Sequence, residues 1–202
     1  MPQARTFEIS AGSRTRSAWS ARQRSQSRPF MLQSQNDTPF SMQNTPDFGL
    51  TPVVLDTQVV MDWMVFKDPS CDRLSQAVMQ SDLNWCTTPG MYGELMHVLK
   101  RGVAAAWQPD LTQITENFEQ HARCLRTEAP SARHLLPCRD ADDQMFLDLA
   151  IAIKARWLFS RDRAVLALAR RARAQDIEII SPLAWNKRER SNQLTAGTPI
   201  SS

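Results

Sequence analysis

VVLDTQVV, residues 53–60, is the segment on which the fold prediction rests. Three apolar residues are followed directly by the carboxylate of Asp56, and so short an apolar run is typical of a buried parallel strand. A charged side chain at the end of a buried strand costs free energy unless something nearby requires a negative charge. Asp56 is therefore the first candidate for a functional residue.

The rest of the chain alternates predicted strands with predicted helices. Short apolar runs indicate strands, and apolar residues at helical spacing indicate the helices between them. The further strands are predicted at 83–89, 156–160 and 177–181, and the helices at 68–81, 89–102, 109–125, 140–155 and 162–175, with a short helix or turn at 58–66. This order predicts an α/β fold of the Rossmann-like kind, with three layers α/β/α around a central parallel sheet.

Composition divides the chain into three parts. Residues 1–48 are rich in Ser, Arg, Gln and Pro and lack sustained periodicity, so we expect a disordered N-terminal extension. Residues 51–185 carry the alternating pattern and form one domain, and residues 187–202 form a polar C-terminal tail. The net charge of +3 comes from the extension, because residues 49–202 contain 18 basic and 18 acidic side chains. A neutral domain argues against broad electrostatic binding of nucleic acid, but not against a local basic rim.

The composition also bears on the cellular compartment. No stretch approaches the roughly 18 uninterrupted apolar residues of a membrane span, and the N-terminus lacks the apolar core of a secretory signal. The four cysteines have no CxxC spacing, and the three histidines do not complete a zinc pattern. We therefore expect reduced thiols, no contact with a membrane, and a cytoplasmic protein.

Three acidic residues follow the predicted strands. In an open parallel sheet, ligands bind beyond the carboxyl ends of the strands. Asp56 ends the first strand, Asp162 comes two residues after the strand at 156–160, and Glu94 lies one turn into the helix after the strand at 83–89. The topology predicts that these three side chains meet at one edge of the sheet.

A fourth acidic group is the segment RDADDQMF at the start of a predicted helix. Asp143 lies three residues before Phe146, next to the apolar face, and is expected to point inward. Asp140 and Asp142 are better placed to cap the helix. Taken singly, most of these acids have an ordinary explanation as helix caps or solvated positions, and Asp56 is the exception.

Several carboxylates at one edge repel one another and raise each other's pKa values. A divalent cation removes this repulsion, and carboxylate oxygens suit Mg²⁺ or Mn²⁺. Such a cluster is typical of metal-assisted phosphodiester hydrolysis, in which the metal activates water and stabilises the developing charge. No GxGxxG or GxxxxGK[ST] phosphate loop competes with this interpretation.

The order of these segments resembles that of a known family. VVLDT, GELMHVL, CRDADDQMFLDLA, ARWLFSRDRAVL and IEIISP follow one another as in the PIN domain, a family of Mg²⁺- or Mn²⁺-dependent ribonucleases. The resemblance covers about residues 51–185, and within the family the chain is most similar to toxin components of bacterial type II toxin–antitoxin pairs. It implies an RNA substrate, a cognate antitoxin protein as partner, and a homodimer.

The resemblance also implies roles for individual residues. The four acids of the family, which bind the metal and carry catalysis, correspond to Asp56, Glu94, Asp143 and Asp162. Thr57 and Ser160 would orient the metal ligands. Gln58 stands where the family usually has Asn, and its amide is one methylene longer.

Three arginines flank the acids and are candidates for gripping RNA phosphates, with pairing to neighbouring acids as the alternative. They are Arg139, Arg161 and Arg163.

Two other functions are compatible with parts of the pattern. The substitution at Gln58 and the neutral domain also fit a catalytically weak PIN-like module that binds RNA or a protein. A phosphotransfer enzyme of the haloacid dehalogenase type likewise begins with an Asp at a strand end. That chemistry requires a second Asp where this chain has Gln58, and a later lysine that the sequence does not supply.

Overall fold

A five-stranded parallel sheet forms the centre of the domain. The computed structural model describes residues 50–126 and 128–196. All strand pairs are parallel, and the strand order is β3-β2-β1-β4-β5. The strands are β1 (Thr51–Leu55), β2 (Leu83–Thr87), β3 (Ala122–Cys124), β4 (Trp157–Phe159) and β5 (Glu178–Ile180).

Eight α-helices within the described residues connect and follow the strands. They are α1 (Thr57–Met64), α2 (Asp72–Met79), α3 (Pro89–Lys100), α4 (Leu111–His121), α5 (Gln144–Ala152), α6 (Arg163–Leu166), α7 (Ala169–Ala172) and α8 (Pro182–Ala196). One apolar cluster joins one face of the sheet to α1, α2, α3, α4 and α8, and a second joins the other face to α5, α6 and α7. The predicted three-layer α/β/α architecture is confirmed.

The central strand β1 shows why an uninterrupted apolar run is needed. Val53 and Leu55 pack into the first cluster and Val54 packs into the second, because successive side chains of a strand point to opposite faces. All three are at most 1% exposed. Both faces of β1 are therefore buried, as expected for the middle strand of a covered parallel sheet.

The strand β3 is absent from the sequence prediction, which continued a helix to residue 125. The helix α4 ends at His121, and the next three residues pair with β2. The segment is only three residues long, has Arg123 at its centre and follows the helix without an intervening Gly or Pro. Pairing with the open edge of β2 thus overrides the helical pattern.

Other predicted helices are also shorter in the structure, including those predicted at 68–81 and 89–102, which are observed at Asp72–Met79 and Pro89–Lys100. The predicted helix 162–175 is divided into α6, α7 and a 3₁₀ turn at Arg173–Gln175, and Leu168 N–H bonds to the Val165 carbonyl three residues back. The predicted helix 140–155 begins only at Gln144. Residues 140–143 form a bend instead, where the Asp140 carboxylate accepts a hydrogen bond from Asp142 N–H.

The ends of the chain are described only in part. The extension at 1–48 lies outside the described residues. The helix α8 includes residues 187–196, which the polar composition predicts as part of the tail, and 197–202 are not described. All four cysteines are buried and free of disulfides. In the described part of the chain, no helix has the length and apolar character required to cross a membrane.

Candidate functional site

The carboxyl edge of the sheet has a switch point between β1 and β4. The strands β2 and β3 lie on one side of β1, and β4 and β5 lie on the other. In open parallel sheets, ligands bind at the point where the strand order reverses. Asp56 follows β1 directly and Ser160 follows β4 directly. The Asp56 N–H also donates a 3.0 Å hydrogen bond to the Phe159 carbonyl, which ties the two strand ends together.

Asp56 is buried at this point and is also the N-cap of α1. Its carboxylate accepts a 2.9 Å hydrogen bond from the Val59 N–H, and its side chain is only 4% exposed. Burial raises the pKa of Asp56 to about 6, and the negative charge of Asp162 contributes to this shift. Hydrogen bonds from the Ser160 hydroxyl and from the backbone N–H groups of Val59 and Arg161 act in the opposite direction. The protein therefore keeps a carboxylate where its ionised form is disfavoured.

Ser160 connects Asp56 to Asp162. The Ser160 side chain is fully buried, its hydroxyl accepts a 3.0 Å hydrogen bond from the Asp162 N–H, and it also hydrogen-bonds the Asp56 carboxylate. Asp162 is exposed and is the N-cap of α6, where its carboxylate accepts from Ala164 N–H at 2.5 Å and Val165 N–H at 3.2 Å. One hydroxyl thus sets the spacing between the two strand-end acids.

Glu94 lies on α3, which begins with Pro89 after the N-cap Thr88. The Glu94 carboxylate is hydrogen-bonded by the side chain of Thr57 at the start of α1. The carboxylate oxygen Oε2 is buried without a hydrogen-bond partner. Partial burial raises the pKa of Glu94, and the nearby charge of Asp56 adds to the shift. An unpartnered buried carboxylate oxygen indicates a place where a cation would be favourable.

Asp143 is the half-buried member of the acidic segment before α5. It occupies the N-cap position of α5, but its side chain makes no capping hydrogen bond. The expectation that Asp140 and Asp142 cap this helix is wrong, because Asp143 is at the N-cap position and the Asp140 carboxylate accepts a hydrogen bond from the Asp142 N–H, before the helix begins. The Asp143 carboxylate is thus not used by the local backbone and is available to a ligand.

Electrostatic interactions join the four acids that the sequence analysis selected. Partial burial raises the pKa of Asp143 to about 6, and charges on neighbouring acids add to it, in the order Asp162, Asp140, Asp56 and Glu94. The charges of the other three acids all act on Asp143, and Asp56 also interacts with Asp162 and with Glu94, so the four carboxylates lie near one another at the carboxyl edge of the sheet.

A buried hydrogen-bond group supports the acidic segment, and the sequence pattern did not reveal it. The Gln144 amide donates to Asp148 at 2.8 Å and to the Leu136 carbonyl at 3.2 Å, and its oxygen accepts from Cys138 N–H at 2.8 Å. The Asp148 carboxylate also accepts from Ala132 N–H at 2.8 Å. The one available sequence signal was an acid at position 148 within an otherwise apolar helix face.

Two residues proposed to act at the site have other partners. The Gln58 amide donates a 2.9 Å hydrogen bond to Asp62, one turn further along α1. The Arg161 guanidinium forms ion pairs with Asp62 at 2.6 Å and with Asp68 at 2.8 Å. Gln58 is therefore engaged within α1, and Arg161 is engaged with acids instead of being available to a phosphate.

Arg139 and Arg163 differ from Arg161 in their surroundings. Both are exposed, and neither forms an ion pair within residues 50–126 and 128–196. They lie next to Asp140 and Asp162 in sequence and so border the acidic site. These two arginines remain candidates for contact with a polyanion.

The donor chemistry of the site fits a hard divalent cation. The site offers carboxylate oxygens, one of which is buried without a partner, and their mutual repulsion would be relieved by positive charge. The side chains are not closed around such an ion, since no group of three or more His, Cys, Asp or Glu in the described residues is arranged to hold a metal. Binding therefore requires adjustment of side-chain positions.

Comparison with known proteins agrees with this architecture. The family model described as the PIN domain matches residues 52–164, which is more than half of the chain and includes all four acids. No curated protein matches the chain. PIN domains are generally nucleases, and PIN nucleases typically use divalent metals. With its five-stranded parallel sheet and its match to the family model, the chain belongs to the PIN domain family.

Proposed function

We propose that this protein is an endoribonuclease that hydrolyses RNA phosphodiester bonds with the aid of Mg²⁺ or Mn²⁺. The supporting observation is that Asp56, Glu94 and Asp162, which lie at the carboxyl edge of the sheet, all act by their charges on the carboxylate of Asp143. Keeping such acids together is unfavourable in the free protein. A function that requires a bound cation accounts for their presence.

The four carboxylates would hold the cation, which when bound supplies an activated water and neutralises charge at the phosphate. Ser160 sets the separation of Asp56 and Asp162 through its hydrogen bonds to both. Thr57 orients Glu94 through its hydrogen bond to that carboxylate. These two hydroxyl side chains restrict the movement of the carboxylates they contact, so less of the site has to reorganise when the cation and the substrate bind.

The substrate would be held by its phosphates. Arg139 and Arg163 are exposed, are the sequence neighbours of Asp140 and Asp162, and present guanidinium groups suited to phosphate oxygens. Cleavage of a polyanion at a cluster of carboxylates requires such nearby positive charge. We include these two arginines, and not Arg161, in the proposed RNA contact.

The biological setting extends the proposal. We assign the protein the role of the toxin in a toxin–antitoxin pair, held inactive by a cognate antitoxin protein, acting in the cytoplasm and as a homodimer. This part rests on the resemblance of the sequence to toxin components of the family. Sedimentation of the purified chain tests the dimer, and co-purification with the product of a neighbouring small gene tests the antitoxin.

A direct assay tests the catalytic proposal. Purified protein is incubated with end-labelled single-stranded RNA and, separately, with single-stranded DNA of the same sequence, with Mn²⁺, with Mg²⁺ or with a chelator. We expect internal cleavage of RNA only with the metals and loss of cleavage in Asp143→Asn. Cleavage that persists in Asp143→Asn, or that persists with chelator, would overturn the proposed site.

A second candidate function is a PIN-like module that binds RNA or a protein without cleaving it. It is favoured by the absence, within the described residues, of side chains already arranged around a metal. Calorimetric titration with Mn²⁺ separates the two candidates. Lack of binding at millimolar Mn²⁺, together with RNA binding in a filter assay, would favour the binding module.

A further inference from the structure

The side chain of Arg161 points into an interaction network beside the acidic site. Arg161 lies between Ser160 and Asp162 in sequence. Its Nε is 2.6 Å from the Asp62 carboxylate, and its Nη2 is 2.8 Å from the Asp68 carboxylate. The same Nη2 donates a hydrogen bond to the Ser70 hydroxyl at 2.5 Å. A single guanidinium thus joins the loop after β4 to α1 and to the segment that follows α1.

The network continues on both sides of these ion pairs. The Gln58 amide donates a 2.9 Å hydrogen bond to Oδ1 of Asp62, and Arg161 lies against the other oxygen, Oδ2. The Ser70 carbonyl accepts a 2.8 Å hydrogen bond from the Asn186 side chain on α8. We name Gln58, Asp62, Asp68, Ser70 and Arg161 the Arg161 network.

Moving the Arg161 side chain out of this network would cost free energy. Asp62 is 5% exposed, so its charge depends on Arg161 and Gln58 for compensation. Removing one partner of a buried pair leaves an uncompensated charge, which is strongly unfavourable. The planar guanidinium meets two carboxylates at once, and this geometry restricts rotation of the side chain. The backbone of residues 160–162 is held as a consequence.

We infer that Arg161 is a positioning residue for the carboxylate site: through the Arg161 network it holds Ser160 and Asp162 in place against Asp56. The inference rests on the proposed metal-dependent function. It also gives Gln58 a role, because the longer amide reaches Asp62 four residues further along α1. Outer partners of metal ligands typically change metal affinity by about 10- to 100-fold when they are removed.

The direction in which cation affinity changes when Arg161 is removed distinguishes a positioning role from a purely electrostatic one. Removing a positive charge beside a cation site strengthens cation binding if charge alone matters. Removing a residue that positions the ligands weakens cation binding. Arg163 is the matched comparison, since it carries the same charge on the other side of Asp162 and is exposed outside the Arg161 network.

The experiment compares Arg161→Met with Arg163→Met in the full chain. Calorimetric titration with Mn²⁺ is expected to show affinity about 10- to 100-fold weaker for Arg161→Met, and unchanged or tighter for Arg163→Met. Hydrogen exchange without metal provides a readout independent of catalysis. The amides of Asp162, Ala164 and Val165 should exchange faster in Arg161→Met but not in Arg163→Met.

Two further variants separate positioning from loss of stability. Gln58→Leu changes an exposed helix position without changing charge, and it should weaken Mn²⁺ binding and speed the same amides by a smaller factor. It carries the test if Arg161→Met does not fold. Ile179→Val removes one buried methylene from β5 and lowers stability outside the network, and it should leave Mn²⁺ affinity unchanged.

The possible failures are distinguishable. If the wild-type chain binds Mn²⁺ and both Arg161→Met and Gln58→Leu bind it equally well, the positioning role is overturned while the proposed function stands. If the wild-type chain does not bind Mn²⁺, the proposed function and the inference resting on it are both overturned. Tighter Mn²⁺ binding in Arg161→Met would show that only the charge of Arg161 acts on the site, which also overturns the inference.

Discussion

The carboxylate of Asp56 accepts a 2.9 Å hydrogen bond from the backbone N–H of Val59. One side chain therefore has two roles, as N-cap of α1 and as a proposed ligand of the cation. The two roles differ in what they require, because an Asn caps a helix about as well as an Asp but carries no charge. A substitution that keeps the cap and removes the charge separates them.

Asp56→Asn is expected to abolish Mn²⁺-dependent cleavage and to become more stable, relative to the wild-type chain, as pH rises. The pKa of Asp56 is about 6 in the folded protein and 3.8 in its ordinary environment. The wild-type chain therefore loses stability as pH rises from about 4 through about 6, because the unfolded chain ionises this carboxyl group more easily than the folded one. Asn carries no such penalty. In urea unfolding without metal, the difference in unfolding free energy should grow by about 1 kcal/mol between about pH 5 and about pH 8.

The control for this prediction is Asp56→Ala, which removes the charge and the cap together. Loss of an N-cap typically costs about 1 kcal/mol, so Asp56→Ala should be less stable than Asp56→Asn at every pH. If the stability difference between Asp56→Asn and wild type does not change with pH, then burial does not raise the pKa of Asp56 in the folded protein.

Mn²⁺ binding should release protons at mildly acidic pH. Burial raises the pKa of Asp56 and of Asp143 to about 6, so near pH 5.5 both carboxyl groups are largely protonated in the free protein. The cation binds the ionised forms, and it must displace these protons. Calorimetry in two buffers of different ionisation enthalpy should show proton release near about pH 5.5 and almost none near about pH 8. Equal heats in both buffers at the lower pH would contradict the prediction.

Much of the fold could be predicted because it depends on local patterns. Val53, Val54 and Leu55 are buried on both sides of the sheet, and an apolar run records this directly. The end of such a run marks the carboxyl edge, which is why Asp56 could be selected from the sequence. The strand β3 could not be predicted, because it exists only through pairing with β2.

The interactions around the acids were less accessible to sequence reasoning. Gln58 is expected near the metal because the family usually has Asn at this position, but its partner is Asp62. The ion pair between Arg161 and Asp68 joins residues that are 93 positions apart. Side chains this long choose among several nearby partners, and only the packed structure determines which one is reached.

Glu94→Gln should weaken Mn²⁺ binding by about tenfold or more, since a neutral amide is a poorer ligand for a hard cation than a carboxylate. Stability without metal should be unchanged or higher, because burial and neighbouring acids raise the pKa of Glu94. The matched control is Glu119→Gln, the same change at an exposed position of α4. Equal Mn²⁺ affinities of the two variants would exclude Glu94 from the site.

Arg139→Ala and Arg163→Ala should reduce RNA binding and leave Mn²⁺ binding unchanged or tighter. Each exposed arginine is proposed to neutralise one phosphate, so its removal should lower the dependence of RNA affinity on salt by about one unit of slope. Filter binding of RNA to Asp143→Asn, with and without each Arg substitution, measures this slope over a salt series. The same slope in all variants would place the RNA path elsewhere on the surface.

Gln144→Leu should destabilise the domain and disorganise the segment that carries Asp143. The Gln144 side chain satisfies the Cys138 N–H and the Leu136 carbonyl and donates to Asp148, all in buried surroundings. Leucine is similar in size but leaves these groups unpaired, and each unpaired buried group costs about 1–3 kcal/mol. We expect a loss of about 2–4 kcal/mol in urea unfolding, together with weaker Mn²⁺ binding.

The matched control is Gln113→Leu, the same substitution at an exposed position of α4, which should change unfolding by less than about 0.5 kcal/mol. Gln144→Glu tests the hydrogen bonds more finely, because it keeps the acceptor for Cys138 N–H but places a second carboxylate against Asp148. If its ionised form is the cause of instability, the variant should recover as pH falls and one of the two acids gains a proton. If Gln144→Leu is as stable as Gln113→Leu, water must replace the hydrogen bonds of the Gln144 amide without cost. The position of Asp143 would then depend on other contacts.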